Sequence, residues 1–174
     1  QEADHEAAFF DKTFKTLFKR KASVLREDFC GTFAVCCEWV KRRGDKRAIG
    51  VDLDPEPLGW GRANNLAGVP EKKQDRVQVY EADVRDTDLT DEDGEPLPAA
   101  DILAAQNFSF WVFKTRDEVR DYFEAAHANM ADQSMIVIDL MGGGGVMEED
   151  HEDQRKIAKG VKYIWEQERF DPIT

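Results

Sequence analysis

A doubly wound α/β domain, with a mostly parallel sheet and helices on both faces, is the fold class this sequence predicts. Three observations lead to it. Short apolar runs of strand type alternate with helical stretches along the 174 residues. Helix-start signals follow directly on two of those runs, at Thr32 and at Asp54-Pro55. The sharp polar clusters fall where predicted strands end, and open α/β sheets bind ligands at the carboxyl ends of their strands.

The elements follow in order. Residues 7–20 predict an amphipathic helix, with Phe10, Phe14, Leu17 and Phe18 on one stripe, Phe9 near its edge and lysines opposite. It reads either as a helix on the sheet edge or as a lid over a pocket. Residues 22–27 predict a first strand and 28–32 a tight turn, with Thr32 as N-cap of a helix over 33–43. Ala34, Cys37 and Val40 are expected to face the sheet, and Gly44 to stop the helix. Residues 47–53 form a nearly continuous apolar strand, of the kind buried on both faces of a parallel sheet. Asp54, Pro55 and Glu56 then open a helix that runs to about residue 66. A third strand over 76–81 leads to Ala82-Asp83-Val84. Residues 87–98 are an acidic connection, and 101–106 a fourth strand followed by Asn107-Phe108-Ser109-Phe110-Trp111. A helix is predicted over 115–130, with Val119, Phe123, Ala126 and Met130 on its apolar face. A fifth strand over 134–141 precedes a four-glycine loop, a charged helix over 148–156 and a sixth strand over 161–169. As domains, residues 1–21 form an N-terminal helix and 22–174 one ligand-binding domain.

The net charge of -12 argues against general binding to nucleic acids or anionic membranes. The excess of acid lies beyond residue 50; residues 1–50 carry +3, read as solvated helix faces or, less favoured, as a patch for a substrate anion. Cys30, Cys36 and Cys37 match neither a disulfide framework nor a zinc spacing, so a reducing, cytoplasmic setting is expected. Membrane-length apolar runs and signal-peptide patterns are absent from the sequence given.

Four stretches together carry a resemblance. Leu25-Arg26-Glu27-Asp28-Phe29-Cys30-Gly31-Thr32 resembles the first motif of class I S-adenosylmethionine-dependent methyltransferases. Gly50-Val51-Asp52-Leu53-Asp54-Pro55 resembles their second, and Glu81-Ala82-Asp83-Val84-Arg85-Asp86 their third. Asn107-Phe108-Ser109-Phe110 sits where their fourth lies, so order and spacing hold from about residue 20 to 145. The chain departs from the pattern at the first turn, where Phe29 and Phe33 stand in place of glycines. The family's Rossmann-like sheet ends in an antiparallel hairpin as strands six and seven; this chain is expected to lack the last strands.

The resemblance implies S-adenosylmethionine as cofactor and in-line methyl transfer to an unidentified small-molecule acceptor. It implies cofactor contacts from Glu27, Cys30, Gly31, Thr32, Asp52, Leu53, Asp83, Val84, Asn107 and Phe108. Asp52 would take the ribose hydroxyls, Leu53 an adenine face, Asp83 the adenine amino group and the Val84 amide a ring nitrogen. Glu27 would hold the methionine ammonium beside Gly31, and Asn107 and Phe108 would lie near the sulfonium and the acceptor. Plainer readings stand beside these. Asp52 could cap the next helix, though Asp54 is better placed; Asp83 could cap its own loop; Glu27 could pair with Arg26; Cys30 reads as a packing residue; and Phe108, Phe110, Trp111 and Phe113 could be core. His5, His127 and His151 give no convincing general base. A nicotinamide oxidoreductase is disfavoured, because the Gly-x-Gly-x-x-Gly turn is missing. A non-catalytic cofactor-binding or scaffold protein of the same fold is the remaining alternative.

Overall fold

In the computed structural model, which describes residues 2–42, 44–149 and 151–169, the chain runs through the predicted alternation. Its first compact unit covers residues 1–139. The elements are α1 (Ala3–Phe18), β1 (Val24–Asp28), α2 (Ala34–Lys41), β2 (Arg47–Asp52), α3 (Pro55–Asn64), α4 (Glu71–Gln74), β3 (Val77–Glu81), β4 (Ala100–Ala105), α5 (Arg116–Ala128) and β5 (Met130–Ile138). The five strands pair in the order β3-β2-β1-β4-β5, and every pair is parallel. The strand order reverses between β1 and β4, which is where this class of sheet opens a crevice for ligands.

Alternation along each strand divides the core in two. Ala48, Ile102 and Ala104 face a cluster built from Phe10, Phe14, Val35, Cys36, Trp39 and Leu58, on α1, α2 and α3. Ile49, Val51, Leu103 and Ala105 face Tyr122 and Ala126 of α5. Lys46 secures α1: its buried ammonium donates to Asp11 Oδ1 and to the Ala22 carbonyl, both at 2.7 Å. It also lies 3.7 Å from the centre of a Trp39 ring, a desolvated cation–π contact.

Several local expectations are corrected. Phe33 rather than Thr32 is the N-cap of α2, in a left-handed conformation with no side-chain cap of its own. The helix ends at Lys41; Arg43 lies outside the described residues. Burial on α2 extends to Val35, Cys36 and Trp39 because α1 covers the side away from the sheet. Leu17 is 61 % exposed and falls off the buried stripe of α1. On α5 the most buried side chain is Tyr122, which the predicted apolar stripe left out and whose hydroxyl has a buried partner in Asp28. The β5 strand begins at Met130 and is half-exposed, as befits a strand at the sheet margin.

The second unit covers residues 140–174. Here the predicted charged helix is replaced by a strand, β6 (His151–Ala158), paired antiparallel with β7 (Val161–Gln167). Charged residues over 151–156 offer no apolar stripe for a helix. The connection at Lys159-Gly160 instead favours a hairpin, with Gly160 at φ +81°.

Candidate functional site

The site grows from the end of β1. Its alternation sends Glu27 toward α2, and Arg26 and Asp28 toward α5. Arg26 Nε donates to Asp28 Oδ1 at 2.7 Å, two residues along the same face. Arg26 therefore pairs with Asp28, not with Glu27. Tyr122 Oη donates to Asp28 Oδ2 at 3.1 Å, and Arg26 Nη2 to the Val84 carbonyl at 3.1 Å. All three side chains are essentially buried, so the pair is dehydrated and every bond around it matters. Burial raises the Asp28 carboxyl above its ordinary range, and Arg26 opposes the rise.

Glu27 is 7 % exposed, and its Oε2 accepts from the Cys36 N–H at 3.2 Å and the Cys36 thiol at 3.1 Å. It thereby supplies α2 with the cap that Phe33 cannot, from the strand rather than the turn. Burial pushes the Glu27 carboxyl up to about 7, against the lowering effect of the Cys36 bonds. Burial likewise raises all three thiols, Cys37 to about 12. None of the three is a ready thiolate nucleophile.

The turn from β1 to α2 takes the shape of a glycine-rich loop with one glycine. Phe29, Gly31 and Phe33 all have positive φ, at 57°, 51° and 45°. The two phenylalanines bear this because their rings are anchored. Phe33 is fully buried, and Phe29 packs on Tyr122 and Phe113 with ring centres 5.6 and 6.1 Å away. The Gly31 N–H donates to Asp52 Oδ2 at 2.7 Å. Two glycines allow the close approach around this turn. A Cβ on Gly50 would lie 2.9 Å from Cys30 Sγ, and one on Gly61 would lie 2.5 Å from the Thr32 carbonyl oxygen.

Asp52 closes β2. Besides Gly31 it accepts from the Asp54 N–H at 2.9 Å through Oδ1. Asp54, not Asp52, caps α3, its Oδ1 accepting from the Glu56 N–H at 3.0 Å. Beyond β3, Asp83 makes a forked pair with Arg85: Nε to Oδ1 at 2.9 Å and Nη2 to Oδ2 at 2.6 Å. Arg85 holds the Asp83 carboxyl below the usual carboxylate range.

These strand ends enclose a cavity of about 300 Å³. Phe29, Leu53, Val84, Val112 and Phe113 form its apolar walls, and Asp52, Asp83 and Arg85 its polar edge. The volume lies at the lower end of the range for ligand pockets, and the mixture of apolar wall and few polar groups is typical of them. Leu53 is 66 % exposed, an apolar surface with nothing over it. Larger concavities, of about 620 and 610 Å³ along the outer strands β3 and β5 and about 430 Å³ at the β6–β7 hairpin, contain no predicted site residue.

Of the predicted residues, Asp52, Leu53, Asp83 and Val84 line the cavity together, and Gly31 is tied to it through Asp52. Glu27 and Cys30 are buried around the start of α2, and the Thr32 carbonyl accepts from Asn65. Asn107 and Phe108 form a left-handed turn after β4, and their N–H groups donate to Asp139 at 3.0 and 2.7 Å. Neither lines this cavity. The sequence offers Arg26 only as a possible partner of Glu27 and Arg85 only as part of a motif, while Tyr122 and Asp139 escaped the sequence reading. Only Asp139 carried a usable signal, as an acid at the end of the fifth strand. Among the described residues, no helix is long and apolar enough to cross a membrane, and no group of three or more His, Cys, Asp or Glu is placed to hold a metal ion.

Neither a protein-family model nor a curated protein matches the sequence. Solved structures do match the fold. The S-adenosylmethionine-bound amino pentose methyltransferase CalS10 of Micromonospora echinaspora superposes with a TM-score of 0.67 at 20 % identity, over 89 % of this chain and 58 % of that one. The sugar N-methyltransferase KedS8 of Streptoalloteichus sp. gives 0.65 at 20 % identity, over 94 % and 59 %. The glycopeptide N-methyltransferase MtfA, solved with sinefungin, gives 0.62 at 14 % identity, over 95 % and 65 %. The chain spans about three fifths of the length of these enzymes.

Proposed function

From the class I methyltransferase fold that the chain shares with these enzymes, we propose that it binds S-adenosylmethionine at the strand-end cavity and passes the methyl group to a small-molecule acceptor. One observation carries the reading. Asp52 is fixed at the mouth of an apolar slot with hydrogen-bonding capacity to spare. Each of its oxygens accepts one backbone N–H, and a carboxylate oxygen can accept two bonds. Two acceptor positions remain, matching the two hydroxyls of a ribose. Leu53 and Val84 offer apolar surface for a purine, and Asp83 an acceptor for its amino group.

The cofactor supplies a methyl group already activated on a sulfonium. The chain's own residues bind and orient. Asp52 anchors the sugar through charge-assisted hydrogen bonds. Phe29, Leu53, Val112 and Phe113 exclude water from the base. Glu27, placed beside the Gly31 turn, supplies negative charge for an ammonium once it is ionised. The turn of Asn107 and Phe108, held by Asp139, forms the acceptor side, and alignment there is the main catalytic contribution available.

Calorimetry with S-adenosylhomocysteine tests the binding, and product formation across a panel of amines and amino sugars tests transfer. The panel follows the amino pentose and sugar N-methyltransferase activities of CalS10 and KedS8. Absence of binding overturns the proposal. Binding without turnover on any acceptor reassigns the chain to a non-catalytic cofactor-binding role.

A further inference from the structure

The turn after β3 is fixed from three sides. The peptide unit joining Val84 to Arg85 is held at both ends: its carbonyl accepts from buried Arg26 Nη2 at 3.1 Å, and its N–H donates to Asp83 Oδ1 at 2.9 Å. The Arg85 guanidinium adds its fork to Asp83 and lies over the Phe113 ring, 5.2 Å from its centre. Phe113 packs on Tyr122, whose hydroxyl binds the Asp28 carboxylate that also holds Arg26. The contacts thus form a closed circuit around one wall of the cavity.

This circuit uses up most of the Asp83 carboxylate. Oδ1 accepts from the Arg85 N–H and from Arg85 Nε, which fills its two positions. Oδ2 accepts from Nη2 alone, so one position remains. The neighbouring guanidinium also keeps the group ionised, so it accepts and does not donate.

Resting on the reading that the cavity takes an adenosine, we infer that Arg85 is a positioning residue: it locks Asp83 as a single, one-directional acceptor and so makes the site select a 6-aminopurine over a 6-oxopurine. An amino group at position 6 donates into the remaining place on Oδ2. A keto oxygen there sets acceptor against acceptor in a wall that cannot turn. A site built around such a bond rejects the partner lacking it far more strongly than an apolar pocket rejects a shape.

The test is calorimetric titration of S-adenosylhomocysteine and its deaminated analogue S-inosylhomocysteine into the wild-type chain, Arg85→Gln and Arg85→Lys, each with a melting curve. The wild type is expected to prefer the amino ligand by about 100-fold or more, falling below about 10-fold in Arg85→Gln. Arg85→Lys restores the charge but not the planar fork, and so does not restore the preference. Equal binding of both ligands by the wild type overturns the inference alone. So does an unchanged preference in both variants at a native melting temperature. Failure of the wild type to bind either ligand overturns the adenosine reading, and this inference with it.

Discussion

The Asp52 carboxylate and the Gly31 amide meet at 2.7 Å, which clamps the turn after β1 to the end of β2. Asp52 therefore has a structural role, and on the proposed function a ligand-binding one, which two measurements on one variant read separately. In Asp52→Ala the amides of Gly31 and Asp54 lose their acceptor, at a cost of about 1–2 kcal/mol in a denaturant melt. If the cavity takes the ribose as proposed, the same change removes two charge-assisted contacts, and S-adenosylhomocysteine affinity is expected to fall by about 100-fold or more. An affinity unchanged by the substitution would place the sugar elsewhere.

Glu27 makes stability depend on pH. Folded, it holds its proton up to about pH 7, whereas its ordinary value is 4.5. Its contribution is full below pH 4.5 and is lost as pH rises through 7. A rise of that size corresponds to about 3 kcal/mol. Glu27→Gln keeps an acceptor for the Cys36 amide and cannot ionise. It is expected to be more stable than the wild type at pH 8 and no more stable at pH 4.5, by urea melts at both. A gain of the same size at both values would mean that the charge is not the cause.

Gly61 faces the Thr32 carbonyl with no room for a methyl group, and the obstacle is backbone, which cannot swing away. Gly61→Ala should therefore destabilise by about 1–3 kcal/mol, although alanine is the better helix former. Gly59, in the same helix, has open space around it, and Gly59→Ala is expected to be neutral or stabilising. Parallel thermal melts compare the two.

Tyr122→Phe keeps the ring against Phe29, Phe113 and Phe123 and removes only the hydroxyl on Asp28. One buried carboxylate oxygen is left without its donor, costing about 1–3 kcal/mol. A loss below about 0.5 kcal/mol would show that Arg26 alone satisfies Asp28.

Much of this was legible in the residues. Alternating apolar runs and caps such as Asp54-Pro55 pointed to the doubly wound class and its run of elements, though not to the strand order, because burial on both sheet faces writes itself into local composition. The cavity's acids were legible as well, since strand ends can be located one by one. Partnerships were not. Arg26 stands next to Glu27 yet binds Asp28, because a strand's pleat separates neighbours and joins alternate residues. Tyr122 lies 94 positions from Asp28, and only packing brings them together. The segment over 151–156 misled for another reason: without an apolar stripe, its structure depends on the strand it pairs with.

A glycine loop must be stiffened by whatever it captures, and some of the binding energy goes into that ordering. Here the left-handed bends at 29 and 33 sit on aromatic side chains, Phe33 buried and Phe29 packed against the core. Their conformational cost, about 1–2 kcal/mol each, is met during folding rather than at the encounter. A ligand taken up at this crevice would find a mould already set, and little of its affinity would go into shaping the host.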